Sequence, residues 1–348
     1  MGFQIGILGA DPVPAAINVR NRPIVANGTL LTDTGQIMRA GRVQQGVAAA
    51  KTSAFWTRAR ALGLNTIRFG ARKLSMSLSA WLADIDAVVA AARNTRMYVM
   101  LGNPEQAAGS WGDAIAANRA LSIANWTALS PRYANETHVF YEMLNEPERW
   151  GSWTNYAVNS AAHGYPATPL TIALHDVFEV MRSAAPQTVI LVPSCANMDA
   201  DGGVAQFIRA PQAFENLGGV DWNRTVWAFH GYNQTGRMQV NSKYTSTGPD
   251  PRGANFNMAP DMGRAALAWL KDRIPICGTE SNWWMDDGKR DVMLDFTDAS
   301  EDAQVGWTIM SYPQQAWGIA YQDFALYPNF IDAKIDQLRA RGFDIPVE

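Results

Sequence analysis

Two carboxylates and an amide stand where apolar segments of the sequence end. In FYEMLNEPERW, residues 140–150, an apolar run stops at Asn145 and Glu146, and Glu280 follows the apolar part of IPICGTESNW. A protonated carboxylic acid opposite an ionised carboxylate is the pair that cleaves a glycosidic bond. A separation of roughly 5 Å between the two would predict retention at the anomeric carbon, and a clearly wider one would predict inversion.

Further ionisable groups end other apolar segments. Arg68 lies at the end of GLNTIRFG, and His230 and Tyr232 lie at the end of WAFHGY. Side chains alternate along a strand, so Glu142, Leu144 and Glu146 are predicted to share one face, and His230 and Tyr232 to share another. A buried Glu142 requires a partner, and Arg68 is the candidate.

Each of these residues also has a purely structural interpretation. Asn-Glu-Pro can simply end a strand, and Glu280 could cap a following helix. His230 could be a hydrogen-bonded core histidine, and Arg68 could be an ion-pair residue. Their joint occurrence, in order and each at a predicted strand end, favours a functional site.

The elements that must position these residues alternate along the chain. Eight short segments have the composition of strands: Ile37–Val43, Thr66–Phe69, Tyr98–Leu101, Val139–Leu144, Val189–Val192, Val226–Phe229, Ile274–Cys277 and Gly306–Ser311. Helical patterns follow them: Lys51–Leu62, Ser79–Arg93, and others near 113–128, 169–184, 203–216, 260–272, 289–303 and 329–341. In the fourth pattern Leu170, Leu174, Val177 and Met181 form a regular apolar stripe.

Eight strand–helix units predict a closed (β/α)8 TIM barrel, an α/β fold whose functional residues lie at the C-terminal ends of the strands. An open doubly wound sheet is the alternative, since alternation by itself does not separate the two. The segment INVRNRPIVANGTLLTDTG predicts a β-hairpin that caps the barrel floor. We expect one catalytic domain over residues 1–348, with 1–35 as its N-terminal hairpin and extension.

Composition narrows the expected partners. Apolar residues make up 47% of the chain and charged residues 18%, with a net charge of −3, so a large core is expected and a nucleic-acid partner is not. No apolar run is long enough to span a membrane, and the four histidines form no metal-binding motif. We expect no metal, no cofactor and no membrane partner, and we expect a monomer. Cys195 and Cys277 are expected to be buried free thiols.

Tryptophan is abundant, and several of the 13 residues lie in stretches rich in glycine, asparagine or aspartate: Trp111, Trp150, Trp153, Trp283, Trp284 and Trp317. A single tryptophan more often packs in a core. As a group in predicted loops, they indicate flat apolar surfaces that stack on sugar rings or nucleobases, and the acidic balance favours sugars. Trp150, Trp284 and Trp317 are the ones expected to bind substrate.

The ordered segments resemble those of clan A glycoside hydrolases, and most of all glycoside hydrolase family five, the cellulase and mannanase family. The matching stretches are GLNTIRFG, FYEMLNEPE, WAFHGYN and IPICGTESNW, and LLTDTGQIMRAGRV resembles the family's entry into the first strand. The resemblance implies a (β/α)8 barrel and double displacement with retention. It implies Glu146 as the general acid and then the base, Glu280 as the nucleophile, and Asn145 as the residue that binds the sugar 2-hydroxyl.

The same resemblance implies surroundings for the two carboxylates. Arg68 and Tyr232 would hold Glu280 in place and keep it ionised, and His230 would line the site near Glu146. Physical chemistry agrees, because a cation and a phenol stabilise a carboxylate, whereas a less polar setting keeps a carboxylic acid protonated.

Two positions depart from the family pattern. MYVMLGNPEQ offers no histidine after the third strand. In GWTIMSYPQQAW, Met310 or Ser311 stands where the family ends its eighth strand with a tryptophan, and Trp307 comes too early. Trp317, in the loop that follows, is the candidate replacement.

We therefore expect a retaining β-glycosidase that acts endo on a β-1,4-linked glucan or mannan. The alternatives are a non-catalytic carbohydrate-binding barrel, a transglycosylase that uses the same site and, more distantly, a metal-dependent barrel hydrolase. The N-terminus MGFQIGILGADPVP lacks the pattern of a secretory signal. Because polymeric substrates are met outside the cell, an extracellular location is nevertheless expected.

Overall fold

The computed structural model describes eleven stretches of the chain: residues 20–43, 48–69, 76–102, 114–145, 147, 167–193, 211–232, 267–268, 270–282, 290–309 and 335–347. Together they form one curled sheet surrounded by helices.

Ten strands make up this sheet. A hairpin comes first, formed by β1 (Ile24–Ala26) and β2 (Thr29–Leu31). Eight parallel strands follow: β3 (Arg39–Val43), β4 (Thr66–Phe69), β5 (Tyr98–Gly102), β6 (Val139–Glu142), β7 (Ile190–Pro193), β8 (Thr225–Tyr232), β9 (Ile276–Asn282) and β10 (Trp307–Ile309). From β3 to β9 each strand pairs with the next in sequence, and β10 pairs with β3.

The ring closes between β9 and β10. Cys277 bridges to Gly306, and the Gly278 N–H donates to the Gly306 carbonyl at 2.7 Å. The Thr308 hydroxyl donates to the Gly278 carbonyl at 2.9 Å. A Cβ at position 306 would lie 2.9 Å from Cys277 Sγ, so the close approach requires glycine there. The structure is therefore a closed (β/α)8 barrel, and the open doubly wound sheet is excluded.

Helices cover the outside of the barrel. They are α1 (Ser53–Ala61), α2 (Leu78–Arg93), α3 (Ile115–Tyr133), α4 (Pro169–Ala184) and α5 (Arg290–Ala303), with a 3-10 turn at Ala48–Lys51 and helical residues at 211–215, 267–268, 270–271 and 335–340. The predicted stripe on α4 is confirmed, since all four of its residues are buried. None of the helices in these ranges combines the length and apolarity that crossing a bilayer would require.

Two apolar layers fill the structure. The larger lies between strands and helices, and it contains five tryptophans that are at most 1% exposed: Trp56, Trp81, Trp126, Trp227 and Trp307. The smaller fills the barrel interior, and its members come from the hairpin and the inner faces of the strands: Leu30, Met38, Tyr98, Met100, Phe140, Val189, Leu191, Val226, Ala228 and Cys277. Cys277 is a buried free thiol, as predicted.

The hairpin caps the barrel floor, as the sequence predicts. Its turn is Asn27–Gly28, and both residues have positive φ (52° and 70°), the conformation that a two-residue hairpin turn requires. The Ile276 N–H donates to the Gly28 carbonyl at 3.0 Å, which ties the turn to β9. Leu30 is fully buried in the inner apolar layer, whereas Ile24 on the same hairpin is 44% exposed.

All eight predicted barrel strands are present, but several of them end at residues other than those predicted. Strand β6 ends at Glu142, two residues before the predicted Leu144, and Leu144 packs in the outer apolar layer. The alternation predicted from Glu142 through Leu144 therefore stops at Glu142. Strands β8 and β9 run to residues 232 and 282, beyond their predicted ends at 229 and 277. Glu280 is therefore inside a strand and not after one.

We predict that Leu30→Ala lowers the free energy of unfolding by about 2–5 kcal/mol, because it leaves a cavity in the barrel floor. Ile24→Ala, on the same hairpin, is the matched control and should change it by no more than about 0.5 kcal/mol. Urea denaturation monitored by tryptophan fluorescence measures both. Equal effects of the two variants would show that the hairpin does not seal the floor.

Candidate active site

Arg68 on β4 connects the charged groups at the C-terminal end of the barrel. Its Nε and Nη2 donate to the two carboxylate oxygens of Glu142, at 2.6 and 2.9 Å. Its Nη1 donates to Glu280 Oε2 at 2.5 Å, and Nη2 also donates to Asn145 Oδ1 at 2.7 Å. The ion pair between Arg68 and Glu142, predicted from strand parity, is therefore confirmed. One guanidinium brings together residues from β6, from β9 and from the chain just after β6.

A β-bulge turns Glu280 into the barrel. Cys277 lies in the inner apolar layer, so strict alternation along β9 would direct residue 280 outward. The register between β8 and β9 shifts instead: Phe229 pairs with Gly278, and His230 pairs with Glu280. The additional residue on β9 is Thr279, and it resets the alternation. Glu280 thereby faces Arg68, and its side chain is 4% exposed.

A second arginine, which sequence reasoning missed, also binds Glu280. Arg42 on β3 donates from Nη1 to Glu280 Oε2 at 2.6 Å. Arg42 lies inside the strand RAGRV and not at its end, so a search of strand ends passes over it. The alternation of side chains along the strands could have identified it. Arg42 and Arg68 are register partners on β3 and β4, and both lie on the inner face of the barrel.

The electrostatics of this cluster follow from burial. The side chains of Arg68 and Glu142 are 3% and 1% exposed, and that of Arg42 is 15% exposed. Burial opposes the charge on Arg68, but the carboxylates of Glu142 and Glu280 outweigh it and raise the pKa of the guanidinium. The same surroundings keep Cys277 protonated, because burial first and the Glu142 carboxylate second raise the pKa of its thiol.

Asn145 and His230 complete the described part of the site. Because Asn145 Oδ1 accepts from Arg68, its NH₂ group is oriented to donate to another ligand. Asn145 is partly exposed, which suits a group that meets a substrate. His230 is 6% exposed and is the register partner of Glu280 on the neighbouring strand.

Some predicted site residues lie outside the described residues. They are Glu146, Trp150, Trp284 and Trp317, together with the side chain of Tyr232, whose backbone ends β8. The other loop tryptophans, Cys195, Met310 and Ser311 also lie outside them. Trp307 is described: it is fully buried in the outer layer, and its Nε1 donates to Glu301 at 2.7 Å. This agrees with the prediction that Trp307 comes too early to reach the barrel mouth.

Ligands for a metal ion do not cluster in the stretches that the structure describes, since no three His, Cys, Asp or Glu side chains there could hold one. The described cluster presents the carboxylate of Glu280, which two guanidinium groups hold in place near the amide of Asn145. Such a group can act as a nucleophile or as an electrostatic stabiliser of positive charge.

Comparison with known proteins identifies the family and the fold of this chain. A family model described as Cellulase (glycosyl hydrolase family 5) matches residues 34–313. The catalytic domain of an endoglucanase from Thermobifida fusca superposes with a TM-score of 0.56 at 15% identity, covering 90% of this chain and 97% of that one.

Two further solved structures have the same fold. A β-mannanase from Thermomonospora fusca, solved with mannohexaose, has a TM-score of 0.57 at 15% identity and covers 87% of this chain and 88% of its own. A lichenase from a Caldicellulosiruptor species has a TM-score of 0.54 at 15% identity, with 85% and 92% covered. No curated protein sequence matches this chain.

We predict that Glu142→Gln lowers the free energy of unfolding by about 3–5 kcal/mol, because it removes one carboxylate from a buried guanidinium. The matched control is Glu136→Gln, which breaks the exposed pair with Arg93 and should cost less than about 1 kcal/mol. Urea denaturation at neutral pH measures both. A similar small loss in each variant would show that Arg68 does not depend on Glu142.

Proposed function

We propose, since the chain belongs to glycosyl hydrolase family 5, that it cleaves a β-1,4-linked glucan or mannan with retention, acting within the polymer. The chain is a glycoside hydrolase with a (β/α)8 barrel. The observation that carries the finer proposal is the position of Glu280. Two guanidinium groups hold its carboxylate at the C-terminal end of the barrel, where such barrels carry their active sites.

In the first step of the proposed reaction, a carboxylate oxygen of Glu280 attacks the anomeric carbon. The bond from that carbon to the glycosidic oxygen breaks, and Glu146 donates a proton to the departing oxygen. Support for Glu280 as the nucleophile comes from its two cationic partners, because ionisation is a condition for attack. Glu146 is assigned as the acid because it follows Asn145 directly in the Asn-Glu-Pro segment.

In the second step, Glu146 as a base takes a proton from water, and the water oxygen attacks the same carbon. The ester bond to Glu280 breaks and its electron pair returns to the carboxylate. Two displacements on one carbon give net retention. The NH₂ group of Asn145, oriented by Arg68, would donate to the sugar 2-hydroxyl during both steps.

Further residues would complete the proposed site and allow it to bind a polymer. Tyr232 would donate its hydroxyl to Glu280, and His230, the register partner of Glu280, would line the site. Trp150, Trp284 and Trp317 would stack on sugar rings along an open cleft. A polymeric substrate is in turn the reason to propose an extracellular location.

We predict that the wild-type protein releases reducing sugar from one of three soluble polymers: β-glucan, mannan or xylan. Glu280→Gln should show no turnover above background, because the nucleophile is lost. Glu146→Gln should lose about 10²–10⁴-fold on the polymer and less on an aryl glycoside whose leaving group needs no proton.

Arg119→Gln, at an exposed ion pair on α3, is the control and should retain full activity. Release that persists in Glu280→Gln would exclude the proposed nucleophile. Binding of a polymer without turnover by wild type would point to the carbohydrate-binding alternative, and longer glycans among the products would point to transglycosylation.

We further predict retention, since a nucleophilic Glu280 requires two displacements. Proton NMR of the first-formed product, recorded before the anomers equilibrate, should show the β-anomer from a β-linked oligosaccharide. The α-anomer as first product would exclude the covalent intermediate and assign Glu280 the role of a base.

A further inference from the structure

The carboxylate of Glu280 receives two guanidinium groups on the same oxygen. Arg68 donates to Oε2 at 2.5 Å from β4, and Arg42 donates to Oε2 at 2.6 Å from β3. The two arginines are register partners on adjacent strands, so they approach that oxygen from neighbouring points of the barrel wall.

Arg68 divides its charge between two carboxylates. Two of its nitrogens bind Glu142 in a bidentate arrangement, which is the stronger geometry for an arginine–carboxylate pair. Only Nη1 of Arg68 binds Glu280. The positive charge of Arg68 is therefore offset mainly by the carboxylate of Glu142. A second cation is needed to offset the negative charge of Glu280.

Arg42 supplies that cation and balances the cluster. Arg42, Arg68, Glu142 and Glu280 are two positive and two negative groups, and each side chain is at most 15% exposed. Without Arg42, the described cluster would hold one positive and two negative charges in a largely buried site. A buried charge without compensation is strongly disfavoured, and a carboxylate in that position would tend to bind a proton.

We propose that Arg42 is a second positioning residue for the nucleophile, which keeps Glu280 ionised and makes it the better leaving group in the second half of the reaction. The effect on the leaving group rests on the proposed function; the effect on ionisation does not. In the second half, the bond from the anomeric carbon to Glu280 breaks and the carboxylate recovers its charge. A guanidinium on that carboxylate stabilises the charge as it returns.

Four of the described residues that bear on Glu280 come from four different strands. Arg42 and Arg68 contact it from β3 and β4, Glu142 on β6 acts through Arg68, and His230 on β8 is its register partner. Of these, only the two arginines are permanent cations. Removing Arg42 therefore leaves Arg68, already shared with Glu142, as the sole permanent cation of this group.

The test is a direct titration of the Glu280 carboxyl. Protein labelled with ¹³C at the glutamate carboxyl carbon is titrated by NMR, and Glu280→Gln identifies the signal. In Arg42→Gln the midpoint of Glu280 should rise by about one pH unit, the lower end of the effect of a neighbouring opposite charge. Arg42→Lys, which keeps the charge, should recover most of the difference, and Arg119→Gln should leave the midpoint unchanged.

An unchanged midpoint in folded Arg42→Gln would overturn the inference. If that variant does not fold, Glu142→Gln is compared with Glu142→Gln/Arg42→Gln, in which one arginine and one glutamate again balance. The midpoint of Glu280 should still be higher in the double variant, and equal midpoints would overturn the inference. A rise in midpoint would uphold the effect of Arg42 on ionisation even if wild type hydrolysed no glycan, an outcome that would reject only the proposed function.

A kinetic measurement tests the second half of the reaction. With an aryl glycoside whose first step is fast, kcat reports the second step and kcat/KM reports the first. In Arg42→Gln, kcat should fall by about three- to tenfold at a pH where Glu280 stays ionised, whereas kcat/KM should be unchanged or rise, because a less stabilised carboxylate is the better nucleophile. Equal losses in the two parameters would remove the leaving-group effect from the inference.

Discussion

The ion pairs of Arg68 are the constraint on which the geometry of the candidate active site depends. A guanidinium that is 3% exposed above an apolar barrel interior must be matched by carboxylates, and Glu142 and Glu280 provide them. Meeting that requirement also fixes the site, because the carboxylates come from β6 and β9 and the amide of Asn145 binds the same guanidinium. The same ion pairs therefore neutralise the buried charge of Arg68 and bring the residues of the candidate active site together.

The rest of the fold encloses this cluster and limits its exposure to solvent. Glycine at position 306 lets β10 approach β9 closely enough to close the ring, and the N-terminal hairpin fills the floor with Leu30. An open sheet or an unfilled floor would admit water beneath Arg68, and water would weaken every ion pair in the cluster. The tryptophans of the described stretches pack mainly outside the barrel, so they stabilise the wall without reaching the site.

Sequence patterns predicted the architecture well, because the spacing of apolar residues along the chain reflects which positions are buried. The eight strands and the capping hairpin follow from that spacing. The ion pair between Arg68 and Glu142 follows from the alternation of side chains along a strand. The orientation of Glu280 does not, since strict alternation from Cys277 would direct it outward. A bulge depends on the register of two strands far apart in sequence, and no local pattern specifies it. Arg42 was missed for a related reason, because its partner is a glutamate 238 residues away.

In the proposed double displacement, the two arginines on Glu280 would impose a compromise between the two halves of the reaction. Each one stabilises the free carboxylate, and a more stable carboxylate is a weaker nucleophile toward the anomeric carbon. The same stabilisation favours release of the sugar from the covalent intermediate, where the carboxylate is the leaving group. A single shared cation would give a more reactive but less completely ionised Glu280. With Arg42 in place, the proposed reaction would lose some speed in its first half; in return, Glu280 would be ionised over a wider pH range and would depart faster in the second half.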